Sequence, residues 1–408
     1  MSVFMVLIVV VIALYLLEVM AVRSYTSFTK PDIELIPDTF PAISIIKPLK
    51  GLEDGLFDNL ESFCNQDYPV YEIIFTLHDQ NDPAYKVVRK VKDKYCFKDI
   101  SIIVEHCDAG LNPKVNNLIP AYRKAKYDLI LISDSNIRVE KDYLADISRH
   151  MDDPSVGLVT NLIRGVGGRS FGAVMENLHL NSFVVGSVCI LDKYLDMPCV
   201  IGKSILIRKD DLESIGGLTS VKDFLAEDYI IGQRIHALGK KIILSSHLIN
   251  NVNEYWSLKR FINRHTRWGK LRWQIGGAKY FSELFSNAVF MAFILMFIMP
   301  LSPASILFAV AVSLLKIAHD IHIGTRLQAG MNPLLYLLSP VKDIIIGIIW
   351  FVPIFSNTIN WRGNRYIIGK GSALSPLQET GLWLLIYRLF SIKKECPSIL
   401  PDIELADK

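Results

Sequence analysis

The chain has 408 residues, of which 51% are hydrophobic, and its mean hydropathy is +0.30. This is more apolar material than one globular domain needs to bury, so the composition indicates membrane segments beside a folded domain. The 44 lysine and arginine residues nearly balance the 41 aspartate and glutamate residues, and the six cysteines show no C-x-x-C spacing, so the composition indicates no nucleic-acid partner, no zinc site and no disulfide framework.

Residues 3–22 form an apolar run interrupted only by Glu18, and a helix needs about 20 such residues to cross the hydrocarbon core of a bilayer. The run lacks a charged start and is long for the core of a cleaved signal peptide, so we predict a transmembrane anchor over residues 1–23. Arg23 and Lys30 follow it, and the positive-inside rule then places the chain after Arg23 in the cytosol.

After a linker at residues 32–41, short β-branched runs alternate with amphipathic segments. The predicted strands are 42–49, 71–77, 100–104 and 128–133, and the predicted helices include 86–95 and 229–238. Such alternation is typical of a mostly parallel sheet covered by helices. The sequence therefore predicts an α/β, Rossmann-like catalytic domain over residues 40–280.

Acidic residues stand at three places where a ligand of such a sheet would bind, beyond the carboxyl ends of the strands. Asp79 and Asp82 follow the second predicted strand, Asp134 follows the strand that ends at Ser133, and Glu227-Asp228 precede a helix. A single aspartate after a strand is usually a turn former or a helix cap. Three such places in one domain indicate a nucleotide-sugar enzyme, which must hold a base and ribose, shield a diphosphate and deprotonate an incoming hydroxyl.

The residue predicted to bind a metal is Asp134. Mg²⁺ and Mn²⁺ prefer oxygen ligands and are often held by one or two carboxylates together with phosphate oxygens, so a single protein carboxylate suffices. The sequence therefore predicts a divalent cation, Mn²⁺ or Mg²⁺, on Asp134.

A basic and aromatic cluster occupies residues 258–273 and includes the run Arg264-His265-Thr266-Arg267-Trp268. Two interpretations stay open and can hold together. The arginines can bind a pyrophosphate leaving group, or the whole segment can lie as a basic helix at a membrane surface.

The apolar segment at 183–191 is too short to span a bilayer and is either core or a lipid-entry surface. Further on, residues 281–360 are predicted to hold membrane helices, with apolar runs at 285–300, 305–317 and 334–355, and residues 361–408 to form a C-terminal tail. The first two runs could form a short hairpin in the membrane. The last can span, and it contains Lys342 and Asp343, which would pair or reach toward the surface.

Several short motifs, each present once, follow one another along the chain. They are IKPLKG at 46–51, NPKVNNL at 112–118, AKYDLI at 125–130, DSNIRV at 134–139, AEDY at 226–229, RHTRW at 264–268 and a last one, WRGNRY, at 361–366. Their order and spacing resemble those of the GT-A glycosyltransferases of the ceramide glucosyltransferase family, whose pattern is three spaced aspartates followed by (Q/R)-x-x-R-W. The resemblance extends from about residue 43 to residue 272.

What the resemblance implies can be assigned to positions of this chain. The implied site consists of Asp82 as the first aspartate with Asp79 beside it, Asp134 as the residue on the metal and diphosphate, Asp228 as the catalytic base, and Lys114, Glu227, Arg264, Arg267 and Trp268 as further residues that bind the nucleotide sugar. Asn136 departs from the D-x-D that many GT-A enzymes carry, which puts its share in metal binding in doubt.

The same resemblance implies inverting transfer of glucose from UDP-glucose to the primary hydroxyl of ceramide, in a bacterial inner membrane or a Golgi membrane. Rival hypotheses remain. The acceptor could be a diacylglycerol or a hopanoid, with glucose or N-acetylglucosamine as the sugar. A processive polysaccharide synthase shares the motif pattern, but about four membrane segments are few for a polymer pore. A non-catalytic membrane scaffold would be expected to lose Asp134 or Asp228, and both are present.

Overall fold

The structure is a computed structural model, which describes residues 3–26, 40–197, 199–298, 302–361 and 364–377. Most of the predicted linker at 32–41 and the predicted tail from residue 378 onward lie outside the described residues, as do residues 362 and 363 of the last motif.

The chain forms a central sheet, a small second sheet and a set of helices around them. The strands are β1 (Ile43–Pro48), β2 (Tyr71–Leu77), β3 (Ile100–Val104), β4 (Leu129–Ser133), β5 (Ile137–Arg138), β6 (Val156–Val166), β7 (Ser204–Arg208), β8 (Lys241–Val252), β9 (Thr358–Trp361), β10 (Asn364–Ile368) and β11 (Leu374–Pro376). The helices are α1 (Val3–Tyr25), α2 (Leu56–Cys64), α3 (Ala84–Lys94), α4 (Pro113–Lys124), α5 (Tyr143–Ser148), α6 (Phe171–His179), α7 (Val185–Leu195), α8 (Lys209–Ser214), α9 (Glu227–Ala237), α10 (Leu258–Gly276), α11 (Phe281–Ser286), α12 (Ala288–Ile298), α13 (Pro303–Arg326), α14 (Ser339–Trp350) and α15 (Val352–Phe355).

The central sheet has eight strands in the order β3-β2-β1-β4-β7-β6-β8-β5. The neighbours β3, β2, β1 and β4 are parallel, β7 is antiparallel to β4 and to β6, β6 and β8 are parallel, and β5 is antiparallel to β8. Only β5 and β7 therefore oppose the common direction. The predicted α/β fold with a mostly parallel sheet is confirmed.

Both faces of this sheet are covered, and the alternation of side chains along each strand explains how. Ile43 and Ile45 of β1 enter the hydrophobic core on one face, and Ile46 enters the core on the other face. In β4, Leu129 and Leu131 enter the core that holds Ile43, and Ile130 and Ile132 enter the core that holds Ile46. Successive strand residues point to opposite faces, so a strand buried on both sides needs an unbroken apolar run rather than an alternating one.

Four helical stretches among the described residues are long and apolar enough to cross a membrane, or up to five if a helix pair bent by 77° counts as one span. They are Val3–Tyr25, Phe171–Leu195, Pro303–Arg326 and Pro333–Phe355, and the bent pair is Leu258–Ser286 with Ala288–Ile298. The apolar run predicted at 305–317 is only the first part of α13, which continues to Arg326.

Charged side chains within these apolar helices have partners. Lys342 Nζ lies 2.8 Å from Asp343 Oδ1, which is the pairing that the sequence offered as one possibility. In α13, Lys316 Nζ lies 2.7 Å from Asp320 Oδ1. Pairing lowers the cost of placing such groups away from water.

Two segments whose position the sequence left open pack against the rest of the protein. The apolar run at 183–191 belongs to a helical stretch from Phe171 to Leu195, in which a π-helical turn, Leu180–Val184, joins α6 to α7. Most of α6 is buried, whereas within the run Val185, Gly186 and Cys189 are buried and the other residues are partly exposed. Helix α10 is no simple surface helix, because Phe261 and His265 are buried and the helix packs against α6, α14 and α15.

The small sheet has the order β11-β10-β9 and packs beside the start of α9. Leu225 N donates a hydrogen bond to Ser372 O at 2.9 Å, and Leu225, Ile359, Tyr366, Ile368 and Leu374 share one hydrophobic cluster. Residues distant in sequence thereby close one side of the pocket described next.

Candidate active site

A pocket of about 760 Å³ opens beyond the carboxyl ends of β1 and β4. The predicted site residues that line it are Lys114, Asp134, Glu227, Asp228, Arg264, Arg267 and Trp268. Side chains separated by up to 154 positions in the chain thus converge at one edge of the sheet, which is where open α/β sheets bind their ligands.

At one end of the pocket, two lysine side chains hold the carboxylate of Asp134. Lys114 Nζ lies 2.9 Å from Asp134 Oδ1, and Lys203 Nζ lies 2.8 Å from Asp134 Oδ2. Burial alone would raise the pKa of this carboxyl group, but the two ammonium groups hold it well below its usual range. Asp134 therefore stays ionised throughout the physiological range.

Lys47 of β1 holds the main chain of Asp134 in place. Lys47 Nζ donates to Asp134 O at 2.8 Å and to Ser133 Oγ at 3.2 Å, and it lies 3.6 Å from the centre of the Phe63 ring. Lys47 is fully buried, and this burial lowers the pKa of its ammonium group well below the usual value.

Lys114 connects the two ends of the pocket. Its Nζ also lies 2.9 Å from Glu227 Oε1, and it donates to Gly202 O at 3.0 Å. Burial would lower the pKa of Lys114, but the carboxylates of Asp134 and Glu227 raise it above its usual value. Asn112 positions the start of α4, because its side chain caps Lys114 N at 2.8 Å and donates to Glu227 Oε2 at 3.1 Å.

Elsewhere in the pocket lies the carboxylate of Asp228. The hydrogen bonds that the structure describes for this carboxylate all come from backbone N–H groups. Gly202 N donates to Asp228 Oδ2 at 2.8 Å, and Tyr229 N donates to Asp228 Oδ1 at 2.8 Å in the first turn of α9. A Cβ on residue 202 would collide with this carboxylate, so only glycine allows the backbone so close. Burial, and next the neighbouring charge of Glu227, raise the pKa of Asp228 to about 6.

The basic and aromatic residues of α10 form one wall. Arg264 lies with its guanidinium carbon 4.3 Å from the Trp268 ring centre and with Nε 3.2 Å from Glu176 Oε1. Glu176 of α6 is fully buried, and its other oxygen is 2.8 Å from His265 Nε2. Arg267 faces Trp361 of the small sheet, with its guanidinium carbon 6.0 Å from the ring centre.

Asp79 and Asp82 are not part of the pocket lining. Asp79 accepts hydrogen bonds from the backbone and side chain of Asn81 in an exposed turn. Asp82 accepts from Gly51 N at 2.9 Å and from Ala84 N at 2.9 Å, and so ties the loop after β1 to the start of α3. Their predicted contacts with the nucleotide stay predictions.

The oxygen atoms at Asp134 can be tested for their fit to a divalent cation. Both carboxylate oxygens already accept from lysine ammonium groups, and Lys203 Nζ also lies 2.9 Å from Asn136 Oδ1. These are the oxygens that a cation would use, and the two ammonium groups would repel one. As arranged, the residues do not fit a metal at Asp134.

Elsewhere in the described part of the chain, two groups of side chains bring ligand atoms within 4.8 Å of one another and could hold a metal ion. They are His78 with His106 and Asp108, and Asp142 with Asp146 and His247. Neither group lines the pocket.

Sequence reasoning missed three residues that shape this site. Lys203 and Gly202 stand just before β7, where no acidic motif draws attention, and Glu176 lies in a helix that reads as apolar. A glycine and a lysine directly before a strand are a weak signal, since their role depends on which strand lies next to β4. That neighbour is β7, which follows in the chain about 70 residues later.

A mostly parallel sheet with acidic and basic side chains gathered beyond its carboxyl edge, next to apolar helices, defines a glycosyltransferase of the GT-A type. The profile described as Glycosyl transferase family 21 matches residues 3–374, and the chain belongs to this family. The predicted family and enzyme class are confirmed.

Curated relatives match most of the chain. Ceramide glucosyltransferase 3 of Caenorhabditis elegans is 29% identical over 375 residues, which cover 90% of this chain and 81% of that protein. Ceramide glucosyltransferase 1 of the same organism is 29% identical over 374 residues, covering 88% of this chain and 78% of that protein. Among solved structures, mannosyltransferase PcManGT from Pyrobaculum calidifontis, in complex with GDP-Man and Mn²⁺, aligns with a TM-score of 0.46 and 16% identity over 86% of this chain and 96% of that chain.

Proposed function

We propose that this protein transfers glucose from UDP-glucose to the primary hydroxyl of ceramide with inversion at C1, giving glucosylceramide. The observation that carries the proposal is that one pocket is lined both by Asp228 and by the lysine-held Asp134, with the ammonium group of Lys114 pairing with Asp134 and with Glu227, the neighbour of Asp228. The names of the curated relatives supply the sugar and the acceptor.

Asp228 is the general base of the proposed reaction. Its pKa of about 6 lets it be ionised at neutral pH and still take up a proton with less penalty than an exposed carboxylate. The acceptor oxygen attacks C1 as its proton passes to Asp228, and the bond from C1 to the diphosphate oxygen breaks with both electrons going to UDP. Glu227 is less suited to this role because it is ion-paired with the ammonium group of Lys114, whereas the hydrogen bonds described for Asp228 come from neutral backbone N–H groups.

Charge on the leaving diphosphate is offset by the cationic groups that line the pocket. Lys114, Arg264 and Arg267 come from α4 and α10 and bring positive charge to one space. Buried Glu176 orients Arg264, and Trp268 stacks against it. The sequence expectation of Mn²⁺ or Mg²⁺ on Asp134 supplies no step of this mechanism, since the oxygens there are already bound to ammonium groups.

The pocket also has an apolar side suited to a lipid acceptor. Trp256, Trp268, Trp361, Leu225 and Leu271 line it, and α10 leads from it to the apolar helices. We propose the predicted organisation on this basis: an anchor over residues 1–23, a cytosolic catalytic domain over 40–280, membrane helices over 281–360 and a tail over 361–408. A bacterial inner membrane and a Golgi membrane both fit this arrangement.

The direct test is lipid product analysis. Full-length protein in lipid nanodiscs is given UDP-glucose with ceramide, diacylglycerol or a hopanoid, and products are identified by mass spectrometry, with the anomeric configuration read by NMR. We expect β-linked hexosylceramide and free UDP in equal amounts.

The control reaction uses the Asp228→Asn variant, which should form both products about 1,000-fold more slowly. Transfer to diacylglycerol or hopanoid without transfer to ceramide would refute the proposed acceptor. The absence of any hexosyl lipid from wild-type protein that binds UDP would refute the reaction itself.

A further inference from the structure

The ammonium group of Lys203 lies between the two side chains of the Asp-x-Asn turn that follows β4. Its Nζ is 2.8 Å from Asp134 Oδ2 and 2.9 Å from Asn136 Oδ1. The side chain is 14% exposed, so little water competes for these contacts. A primary ammonium group has three N–H donors, and Asp134 and Asn136 take two of them.

The turn that carries Lys203 is anchored on both sides of the pocket. The neighbouring Gly202 donates its N–H to Asp228 and accepts a hydrogen bond from Lys114 through its carbonyl oxygen. Ser204, the next residue, begins β7 and pairs with Ser133 at the end of β4. Lys203 is therefore held at a set distance from Asp134 by the sheet itself.

The contacts at Asp134 support a specific role for Lys203. Lys114 divides its charge between Asp134 and Glu227, whereas the ammonium group of Lys203 lies 2.8 Å from Asp134 Oδ2 and 2.9 Å from Asn136 Oδ1, where a cation bridging these two side chains would lie. Asn136 fits this arrangement, because a neutral carbonyl oxygen accepts from an ammonium group and adds no further negative charge.

We propose that Lys203 is the built-in cation of this site: together with Lys114 it binds the diphosphate of the nucleotide donor, and the transfer needs no divalent metal. This inference rests on the proposed function for the identity of the donor. During transfer Lys203 donates a hydrogen bond to the phosphate oxygen that receives the electron pair from the broken bond. The acceptor proton still goes to Asp228.

The test measures binding of UDP alone, so it does not depend on the acceptor. Detergent-purified full-length protein is stripped with EDTA, and its Kd for UDP is measured by calorimetry in EDTA and then with added MnCl₂. We expect the wild type to bind UDP equally well in both conditions and EDTA to leave sugar transfer intact.

The Lys203→Met variant removes the ammonium group and keeps an unbranched side chain that is one atom shorter. Loss of a charge-assisted hydrogen bond should weaken UDP binding about 10- to 100-fold in EDTA. It also frees Asp134 Oδ2 and Asn136 Oδ1, so MnCl₂ should restore much of the lost affinity. Lys209→Met, at a lysine outside the pocket, is the matched control and should bind as the wild type does.

The outcomes separate the two proposals. Wild-type protein that binds UDP only when MnCl₂ is present would overturn the role of Lys203 and leave the proposed function standing. Protein that binds no UDP in either condition would overturn the proposed function. If Lys203→Met fails to fold by thermal melting, Lys203→Arg replaces it and should keep metal-independent binding, while the wild-type EDTA experiment decides the question by itself.

Discussion

The two ends of the pocket hold the same chemical group in opposite surroundings. At the end of β4, the carboxylate of Asp134 is bound by two ammonium groups, and its pKa lies well below the usual range. At the start of α9, Asp228 meets backbone N–H groups and the like charge of Glu227, and its pKa is raised to about 6. One carboxylate is fixed as a charge and the other is prepared to accept a proton.

This contrast explains why three acidic places in the sequence do not play one role. The carboxylate of Asp82 accepts a hydrogen bond from the loop after β1, that of Asp134 pairs with lysine, and that of Asp228 lines the pocket. The amino-acid type is constant, and the neighbours decide the chemistry. Each of the following measurements tests whether the two ends of the pocket differ in this way.

The largest effect is expected from Asp228→Asn. An amide cannot take the acceptor proton, so kcat should fall about 1,000-fold, while the Kd for UDP stays near the wild-type value. Turnover is measured as UDP release with saturating ceramide. Asp210→Asn on the exposed start of α8 is the matched control and should keep full activity. Retained turnover in Asp228→Asn would remove this residue from the role of base.

The next effect concerns stability and separates the ends directly. Asp134→Asn leaves the ammonium groups of Lys114 and Lys203 without their shared anion, which should cost about 3 kcal/mol of folding free energy. The raised pKa of Asp228 means that the fold disfavours the ionised form of this carboxyl group. Replacing it with a neutral amide in Asp228→Asn should therefore lower the Tm less than Asp134→Asn does. Thermal melts of both variants in the same detergent make the comparison. Equal losses would contradict the assigned difference between the ends.

A smaller effect is the pH dependence of kcat/KM. Asp228 must be ionised to act, and a carboxylate with a pKa of about 6 becomes protonated as the pH falls through that value. Activity should therefore be constant above neutral pH and drop about tenfold per pH unit below 6. Asp134 adds nothing in this window because its pKa is lower. A profile that stays flat down to pH 5, in protein whose Tm is unchanged, would rule out Asp228 as the titrating base.

The smallest effect is expected from replacing Asn112, which contacts both Lys114 and Glu227. Asn112 caps α4 beside Lys114 and also donates to Glu227 and to Phe224 O. Asn112→Ala should lower the folding free energy by about 1 kcal/mol and reduce kcat slightly, because Lys114 and Glu227 lose a common support. The control for thermal melts and UDP release is Asn65→Ala, which removes a hydrogen bond to Tyr95 Oη at 2.9 Å outside the pocket. A variant indistinguishable from this control would show that the ends are held independently.

The sequence alone determined the features that depend on local pattern. The run at 129–132 is wholly apolar, and residues 43–46 are isoleucines apart from Ser44. Both patterns predict strands buried on both faces, and β1 and β4 are buried in this way. The run at 3–22 predicts a spanning helix by its length, and α1 has that length. The order of the short motifs likewise indicated the family, and Asp134, Asp228 and the arginines of α10 were found in one pocket.

Only the tertiary structure decided which groups meet at that pocket. Lys203 reaches Asp134 because β7 lies next to β4 in antiparallel register, and Glu176 reaches Arg264 because α6 packs against α10. Neither contact has a local signature, since strand order and helix packing depend on burying faces that are distant in the chain. The difference in pKa between Asp134 and Asp228 arises from those contacts, and the amino-acid sequence around each residue carries no trace of it.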